Sequence, residues 1–360
     1  MPDTCRLLDS GLHGAAHNIA LDRALLAAHR AGQAPDTLHF FRFTPCAVVG
    51  YHQSVAQEVH TDYCRAHGIE IQRRLSGGGA VYIDEGQLVW ELYLRRARLP
   101  GADMRAVAAT VCGAVAEALR GLGVDARFRP RNDIEVDGRK LSGTGGVFEG
   151  DTILYQGTLL LRFDAERMLR VLRIPAEKHA RRGLGSPHER VTSLAELLGE
   201  PPPLATVQAA LAAAFADTLG VRFAPGRLSA AERAEHARAL REIDSPEWVR
   251  AVDRPAGEAP QQEVIHRCPA GLIRVGVALD LPRRRLRQAW LSGDFFVRPR
   301  RVVADLEAAL RNVAMDEVPA IVQAVLGRDG VDLMGLRPAD FSVALQRAMA
   351  VGNDATELKY

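Results

Sequence analysis

Cysteine is scarce in this sequence. The five cysteines, Cys5, Cys46, Cys64, Cys112 and Cys268, are scattered and form no Cys-x-x-Cys pair. That argues against a disulfide framework and against a cysteine-built structural zinc site. A dominant charge is also lacking: 46 Lys and Arg against 44 Asp and Glu leave a formal net charge of +2, which carries no nucleic-acid signal. No stretch of about 18 uncharged apolar residues occurs, so no helix is expected to span a membrane. The first residues, Met1-Pro2-Asp3-Thr4-Cys5-Arg6, show no basic segment followed by an apolar core, and a cytoplasmic location is expected. What is present is ordinary for a globular protein, with 47% apolar and 25% charged residues. A chain of 360 residues allows two or three domains, or one large domain with an appendix.

The apolar spacing predicts a helix over Asn18 to Arg30 and a second over Asp103 to Leu122. Short runs rich in β-branched and aromatic residues predict strands at Leu38–Phe43, Ala47–Tyr51, Ile69–Arg73, Ala80–Ile83 and Leu88–Leu94. Asp137-Gly138 lies between alternating residues and predicts a two-residue hairpin turn; Thr152–Phe163 reads as a further strand. These groups of strands with helices inserted between them predict an α+β fold with mixed or antiparallel sheets, rather than a doubly wound one. Helices are expected near Thr206–Leu219 and Ser229–Ile243. Pro255, Gly257 and Pro260 mark a linker at 252–262. The reading is therefore a catalytic domain at 1–251 and a small α+β C-terminal domain at 263–360.

Two segments carry chemistry. The first is Arg73-Arg74-Leu75-Ser76-Gly77-Gly78-Gly79-Ala80-Val81-Tyr82. Without Cβ atoms its backbone can approach a ligand closely and line N–H groups on an anion, while Arg73 and Arg74 add charge suited to a phosphate or carboxylate. No Gly-Lys-Ser/Thr follows, and the glycines are contiguous and open a strand, so neither a Walker loop nor a dinucleotide fingerprint is present. A plain surface turn is the bland reading. The second segment is Asn132-Asp133-Ile134-Glu135-Val136-Asp137-Gly138-Arg139-Lys140-Leu141-Ser142-Gly143. Strand alternation puts Lys140 and Ser142 on one face and Arg139 and Leu141 on the other. An inward Lys140 needs an anion; a solvated lysine is its bland reading. Asp133 is a candidate divalent-metal ligand or a turn cap.

Taken in order, these segments resemble the lipoate–protein ligase A family, within the biotin/lipoate ligase and octanoyltransferase group. The resemblance begins at Asn18-Ile19-Ala20-Leu21-Asp22. It continues through both segments, Gln156-Gly157-Thr158-Leu159-Leu160 and Arg190-Val191-Thr192-Ser193-Leu194. Gly271 to Leu310, with Gly293-Asp294-Phe295-Phe296, is similar to the family's small accessory domain. The resemblance implies a two-step reaction with ATP and Mg²⁺. Lipoate is activated to lipoyl-AMP and then transferred to a lysine of an acceptor lipoyl domain. That acceptor would be a 2-oxoacid dehydrogenase E2, a glycine cleavage H protein or a related lipoate-binding protein. It implies Lys140 as the catalytic residue bridging carboxylate and phosphate. Arg74, Ser76, Gly77, Gly78, Gly79, Ala80, Val81, Tyr82, Asn132, Asp133, Ser142, Gly143, Gln156 and Thr158 are implied ligand contacts, with Asp133 near a metal. Leu75, Val81 and Val147 are candidates for the wall of an apolar acyl tunnel. No nucleic acid or membrane is implied.

The sequence departs from the family pattern at Ile83-Asp84 for His-Asp, Gly86-Gln87 for Gly-Asn, Tyr51-His52-Gln53-Ser54 for Arg-x-Gln-Asn, and Gln156 for His. An octanoyltransferase is the nearest rival. It uses a cysteine shortly before the Asn-Asp element or after the Gly-Thr-Leu element, and neither place has one here. A non-catalytic lipoyl-AMP-binding subunit is the other alternative; a biotin ligase would need a Gly-Arg-Gly-Arg loop that is absent. Lys178 and Arg181-Arg182 are read as contacts to nucleotide or acceptor, or as a solvated loop. His52 is the best-placed histidine, with a surface role expected. Trp90, Trp248 and Trp290 are read as packing residues, and Arg283-Arg284-Arg285 as an exposed turn.

Overall fold

The structure, a computed structural model, describes residues 3–130, 132–173, 190–254 and 257–357. Lys178, Arg181 and Arg182 lie outside the described residues. In chain order the strands begin β1 (Asp3–His13), β2 (Thr37–Phe43), β3 (Cys46–Val49), β4 (Glu70–Arg73), β5 (Val81–Ile83), β6 (Gln87–Arg95) and β7 (Arg127–Arg129). They continue with β8 (Asp133–Val136), β9 (Arg139–Glu149), β10 (Thr152–Leu160), β11 (Val221–Pro225), β12 (Gln262–Cys268), β13 (Gly271–Asp280), β14 (Arg285–Asp294) and β15 (Val313–Ala314). The helices are α1 (Ala15–Arg30), α2 (Val55–Glu58), α3 (Thr61–Ala66), α4 (Met104–Gly121), α5 (Ala165–Val171) and α6 (Leu194–Leu198). Then come α7 (Leu204–Leu219), α8 (Ala230–Ile243), α9 (Pro246–Val249), α10 (Val302–Ala309), α11 (Val318–Leu326) and α12 (Pro338–Glu357). Among the described residues no helix is long and apolar enough to cross a membrane.

The chain forms two compact units. The first comprises Met1–Ala47, Asp62–Ile71 and Tyr82–Ser245; the second comprises Val48–Thr61, Gln72–Val81 and Pro246–Tyr360. The short strands β4, β3 and β5 pair in that order. The first unit is built on an eight-stranded sheet of order β11-β1-β2-β6-β10-β9-β8-β7. Strand β1 runs parallel to β2 and β11, and the pairs from β2 to β7 are antiparallel, so the sheet is mixed. No periodicity in Asp3–His13 announced β1, because polar residues interrupt it; its two parallel neighbours hold it.

One face of this sheet carries the core. Phe40, Trp90, Leu92 and Tyr155 pack with Val107, Val111 and Val115 of α4 and with Leu211 and Phe215 of α7. Asp103 caps α4 by accepting from the Ala106 N–H at 2.8 Å, as expected of an N-cap aspartate. The other face meets α1, whose first amides, Ala15 and Ala16, donate to the Glu70 carboxylate at 2.6 and 2.8 Å. A carboxylate there satisfies orphan N–H groups and opposes the positive helix end.

Cross-strand register arranges this second face in rows, because directly paired residues point to the same side. One row is Phe41, Val89, Thr158 and Gly143; the next is His39, Glu91, Gln156 and Gly145; the third is Thr37, Tyr93, Leu154 and Val147. The second unit has an antiparallel sheet of order β12-β13-β14-β15, with Ile273, Val275 and Leu291 packed on Leu306, Val322, Phe341 and Leu345 of α10, α11 and α12.

Candidate functional site

In the first unit the site residues collect around the β8–β9 hairpin. Asp137 and Gly138 have φ of 49° and 77°, the pair of left-handed residues that a two-residue hairpin turn demands. The register slips between Ile134 and Glu135, so that Glu135 pairs with Lys140 while Ile134 pairs with Ser142. Leu141 is the extra residue of a bulge, and a bulge re-aims side chains. The expectation that Lys140 and Ser142 share a face is thereby corrected. Leu141 and Ser142 are fully buried, and Ser142 pairs with the core residue Leu159, whereas Lys140 extends over Gly143. The Ser142 hydroxyl has no hydrogen-bond partner among the described residues.

Lys140 Nζ lies 2.8 Å from Asp133 Oδ1, and Arg129 Nη2 donates to Asp133 Oδ2 at 2.6 Å. Burial works to raise the Asp133 carboxyl, but Lys140 and then Arg129 hold it below its ordinary value. The lysine therefore has a permanent counter-ion. A Cβ on Gly143 would stand 2.6 Å from Lys140 Nζ and 2.8 Å from Cε, so glycine is what lets the lysine lie across the strand. The lysine backbone is fixed as well: its N–H donates to Arg190 O at 2.8 Å, and its carbonyl accepts from Thr192 N at 2.9 Å. The Arg190–Leu194 element thus docks directly on Lys140. Asn132 is pinned to β9, its side chain donating to Thr144 O at 3.0 Å and its carbonyl accepting from Thr144 N at 2.8 Å.

Thr158 pairs with Gly143, and Gln156 pairs with Gly145 in the adjacent row, so the hairpin and the β10 element meet on one face. Val147 closes that column of β9. A Cβ on Gly145 would meet nothing within 4 Å. Gly145 and Arg129 were missed in the sequence. Arg129 precedes Asp133 by four residues, and Gly145 alternates with Gly143, which are the signals that could have found them. Tyr82 is buried, with its hydroxyl pushed up by burial and by Asp84.

The glycine loop belongs to the second unit, apart from Tyr82. Its arginines do not present free charge. Arg73 is fully buried, and its guanidinium donates to the carbonyls of Gly50, Tyr51, Gln53, Trp248 and Val249 at 2.7 to 3.1 Å. The reading of Arg73 as an anion contact is overturned, because five carbonyls take its donors. Arg74 bonds its own loop, reaching Gly77 O at 2.7 Å, Gly79 O at 2.8 Å and Ser76 Oγ at 3.2 Å. Burial lowers its pKa to about 10, against Asp294, which raises it.

The three glycines do serve a close approach, and what approaches is Gly293-Asp294-Phe295-Phe296. Gly78 N donates to Phe295 O at 3.2 Å. A Cβ on Gly77 would sit 2.1 Å from Phe295 O, and one on Gly79 would sit 2.9 Å from Asp294 Oδ2. Gly78 has φ +93°, and a Cβ there would meet Arg74 Nη2 at 2.8 Å and Phe296 Cζ at 3.0 Å. Arg300 donates to Leu75 O at 3.0 Å, and Ala80 and Leu75 are half-buried while Val81 is exposed. His52 is buried rather than at the surface: it stacks on Phe295 at 4.9 Å, and burial, then Arg73 and Arg300, lowers it to about 3.

All five cysteines are free thiols; Cys5, Cys46, Cys64 and Cys112 are buried, Cys268 is half-buried, and burial pushes each thiol up. Cys112 touches β9 and β10, bonded at 3.4 Å to both Thr144 Oγ1 and Tyr155 Oη.

Residues 14–216 match the model of the lipoyl protein ligase A/B catalytic domain. The chain is 32% identical over 258 residues to an octanoyltransferase LipM of Symbiobacterium thermophilum, covering 65% of this chain and 93% of that protein. Its structure is similar to that of a bi-partite lipoate protein ligase solved in an archaeal lipoylation system with its E2 lipoyl domain, from Thermoplasma acidophilum. The TM-score is 0.62 at 27% identity, over 71% of this chain and all of that one. It is also similar to a lipoate-protein ligase A bound with ATP, with a TM-score of 0.59 at 25% identity over 69% and 98% of the two chains. The chain therefore belongs to the lipoyl protein ligase A/B catalytic domain family and is an enzyme of the lipoate ligase and octanoyltransferase group.

Proposed function

We propose that this enzyme is an ATP-dependent lipoate–protein ligase. The lipoate carboxylate oxygen attacks the α-phosphorus of ATP, and pyrophosphate leaves. The amine of an acceptor lysine then attacks the acyl carbon, and AMP leaves. The observation that carries the reading is the ensemble of thiols: all five are pushed up by burial, so none is poised as a thiolate. Activation by nucleotide needs no thiolate. It needs a held cation where charge develops, and Lys140, fixed by Asp133 and by the Arg190–Thr192 backbone, fits that requirement.

Within this proposal Lys140 pairs with the carboxylate and phosphoryl oxygens, and Asp133 aims it. Asp133 fits the role of counter-ion better than that of metal ligand, because cations already engage both its oxygens. A Mg²⁺ ion would come with the nucleotide phosphates, to which this ion is usually bound. The loop Ser76–Tyr82, shaped by Arg74, is proposed to take the nucleotide. The acyl chain is proposed to run along β9 past Gly145, where no side chain fills the space, toward Val147 and Leu154. The acceptor is proposed to be a lipoyl domain, in keeping with the partner of the Thermoplasma enzyme.

The similarity to an octanoyltransferase favours one second reading, thioester-mediated transfer from acyl-carrier protein. One experiment separates the two: acyl transfer to a panel of lipoyl domains, with lipoate plus ATP or with octanoyl-acyl-carrier protein and no nucleotide. Modification that requires ATP and releases pyrophosphate is expected. Modification from the carrier protein alone would refute the ligase reading.

A further inference from the structure

Asp22 of α1, His39 of β2 and Glu91 of β6 place three donor atoms within 4.8 Å of one another on the α1 side of the first unit's sheet. We propose that this cluster is a structural site for a divalent transition-metal ion, with one imidazole and two carboxylates as ligands. His39 and Glu91 are directly paired across the strands, and both are buried. Their Nδ1 and Oε2 atoms are 3.3 Å apart. Two tetrahedrally disposed ligands, each about 2.1 Å from an ion, lie about 3.4 Å apart.

Two observations point to an ion rather than to a self-sufficient cluster. First, the Asp22 Oδ1 atom is buried and has no hydrogen-bond donor among the described residues, and the side-chain partner of this carboxyl is Glu91, a second carboxyl. An acceptor sealed from water without a donor is costly. Second, the supporting contacts are those that metal ligands have. Ser10 Oγ lies 2.8 Å from His39 Nε2, and Tyr93 Oη donates to Glu91 Oε2 at 2.7 Å. With Nε2–H given to Ser10, the Nδ1 lone pair faces a carboxylate oxygen. A hydrogen bond on the far ring nitrogen is the usual means of fixing a ligating tautomer, and ligating carboxylates are themselves hydrogen-bonded.

The mixed nitrogen–oxygen set suits Zn²⁺, Mn²⁺ or Fe²⁺ over Ca²⁺. Glu91 is paired with Gln156, so an ion here would tie α1 to the strands that carry Gln156 and Thr158.

The test uses the full chain, stripped with a chelator and titrated with Zn²⁺, Mn²⁺ or Co²⁺ by calorimetry and Co²⁺ absorption, with Tm followed in parallel. One saturable equivalent and a Tm raised by several degrees are expected. Glu91→Gln should weaken binding at least 100-fold. Ser10→Ala, which leaves the ligands and the buried charges in place, should weaken it about 10–100-fold. Asp133→Asn should leave it unchanged. No saturable binding by the folded wild-type chain, binding that survives both Glu91→Gln and Ser10→Ala, or binding abolished by Asp133→Asn would each overturn the proposal.

Discussion

Lys140→Ala separates chemistry from folding, and the structure sets the size of the effect on stability. The lysine side chain is 39% exposed and its partner Asp133 18% exposed, so the pair is screened by solvent. Such a pair contributes no more than about 1 kcal/mol to stability. Asp133 also keeps its 2.6 Å contact to Arg129 when the lysine is removed. The variant should therefore melt within about 4 °C of the wild type. Its rate of pyrophosphate release from lipoate and ATP should fall about 10²–10³-fold, the usual consequence of removing one preorganised stabiliser of developing charge. Gly143→Ala gives an independent route to the same end. Its Cβ would intrude 2.6 Å from Nζ, and the flexible lysine tip relieves the clash by leaving Asp133. A folded Gly143→Ala with a depressed rate is expected. Wild-type-like pyrophosphate release by Lys140→Ala would refute the assigned role of the lysine, and wild-type-like release by Gly143→Ala would refute the need for the lysine to lie across β9.

Gly78→Ala should destabilise the second unit by about 1–3 kcal/mol in urea melts, because Gly78 has φ +93° and lies against Arg74 and Phe296; unchanged stability would argue against that packing. Cys112→Ser should retain acyl transfer, since Thr144 and Tyr155 accommodate a hydroxyl; a folded but inactive variant would revive the thioester route. Glu307 is pushed up to about 7 by burial. A carboxyl raised in the folded state adds stability in full below the unfolded value near pH 4.3, and that stability is lost as pH rises through about 7. Glu307→Gln keeps an oxygen for the Leu291 N–H bond and should flatten this loss in denaturation series from about pH 4 to about pH 8; an unaltered pH profile would exclude Glu307 as its source.

Much of the framework was legible because local rules agree with the fold. The apolar stripe from Ile19 to Ala28 became α1, and Asp137-Gly138 became the turn it announces. The bulge at Leu141 was not legible. A single unpaired residue changes which side chains share a face, yet no spacing encodes it, so Ser142 was placed beside Lys140 when it turns into the core. Nor could β1 be read, since neighbours distant in sequence pair with its polar run. Arg73 was misread for a different reason. A guanidinium is equally suited to phosphate and to carbonyl oxygens, and composition cannot say which is nearer. Only the fold brings five carbonyls to Arg73.

The glycine triplet sharpens that distinction between residue type and partner. The sequence reading expected a ligand to approach these glycines closely; contiguous glycines are costly in conformational entropy and persist where a Cβ cannot fit. The approaching group is the backbone at the end of β14, distant in sequence and held by Gly78 N to Phe295 O. Arg74 then acts on shape, drawing the Gly77 and Gly79 carbonyls onto one guanidinium. A loop fixed this way is preorganised before any ligand arrives, so its substitutions should appear in stability as well as in nucleotide binding. Lys140 is the opposite case: its tip is tethered by one screened ion pair, so its substitutions should appear in rate and hardly in stability. The two motifs thus divide the work between a rigid loop and an exposed, ion-paired charge.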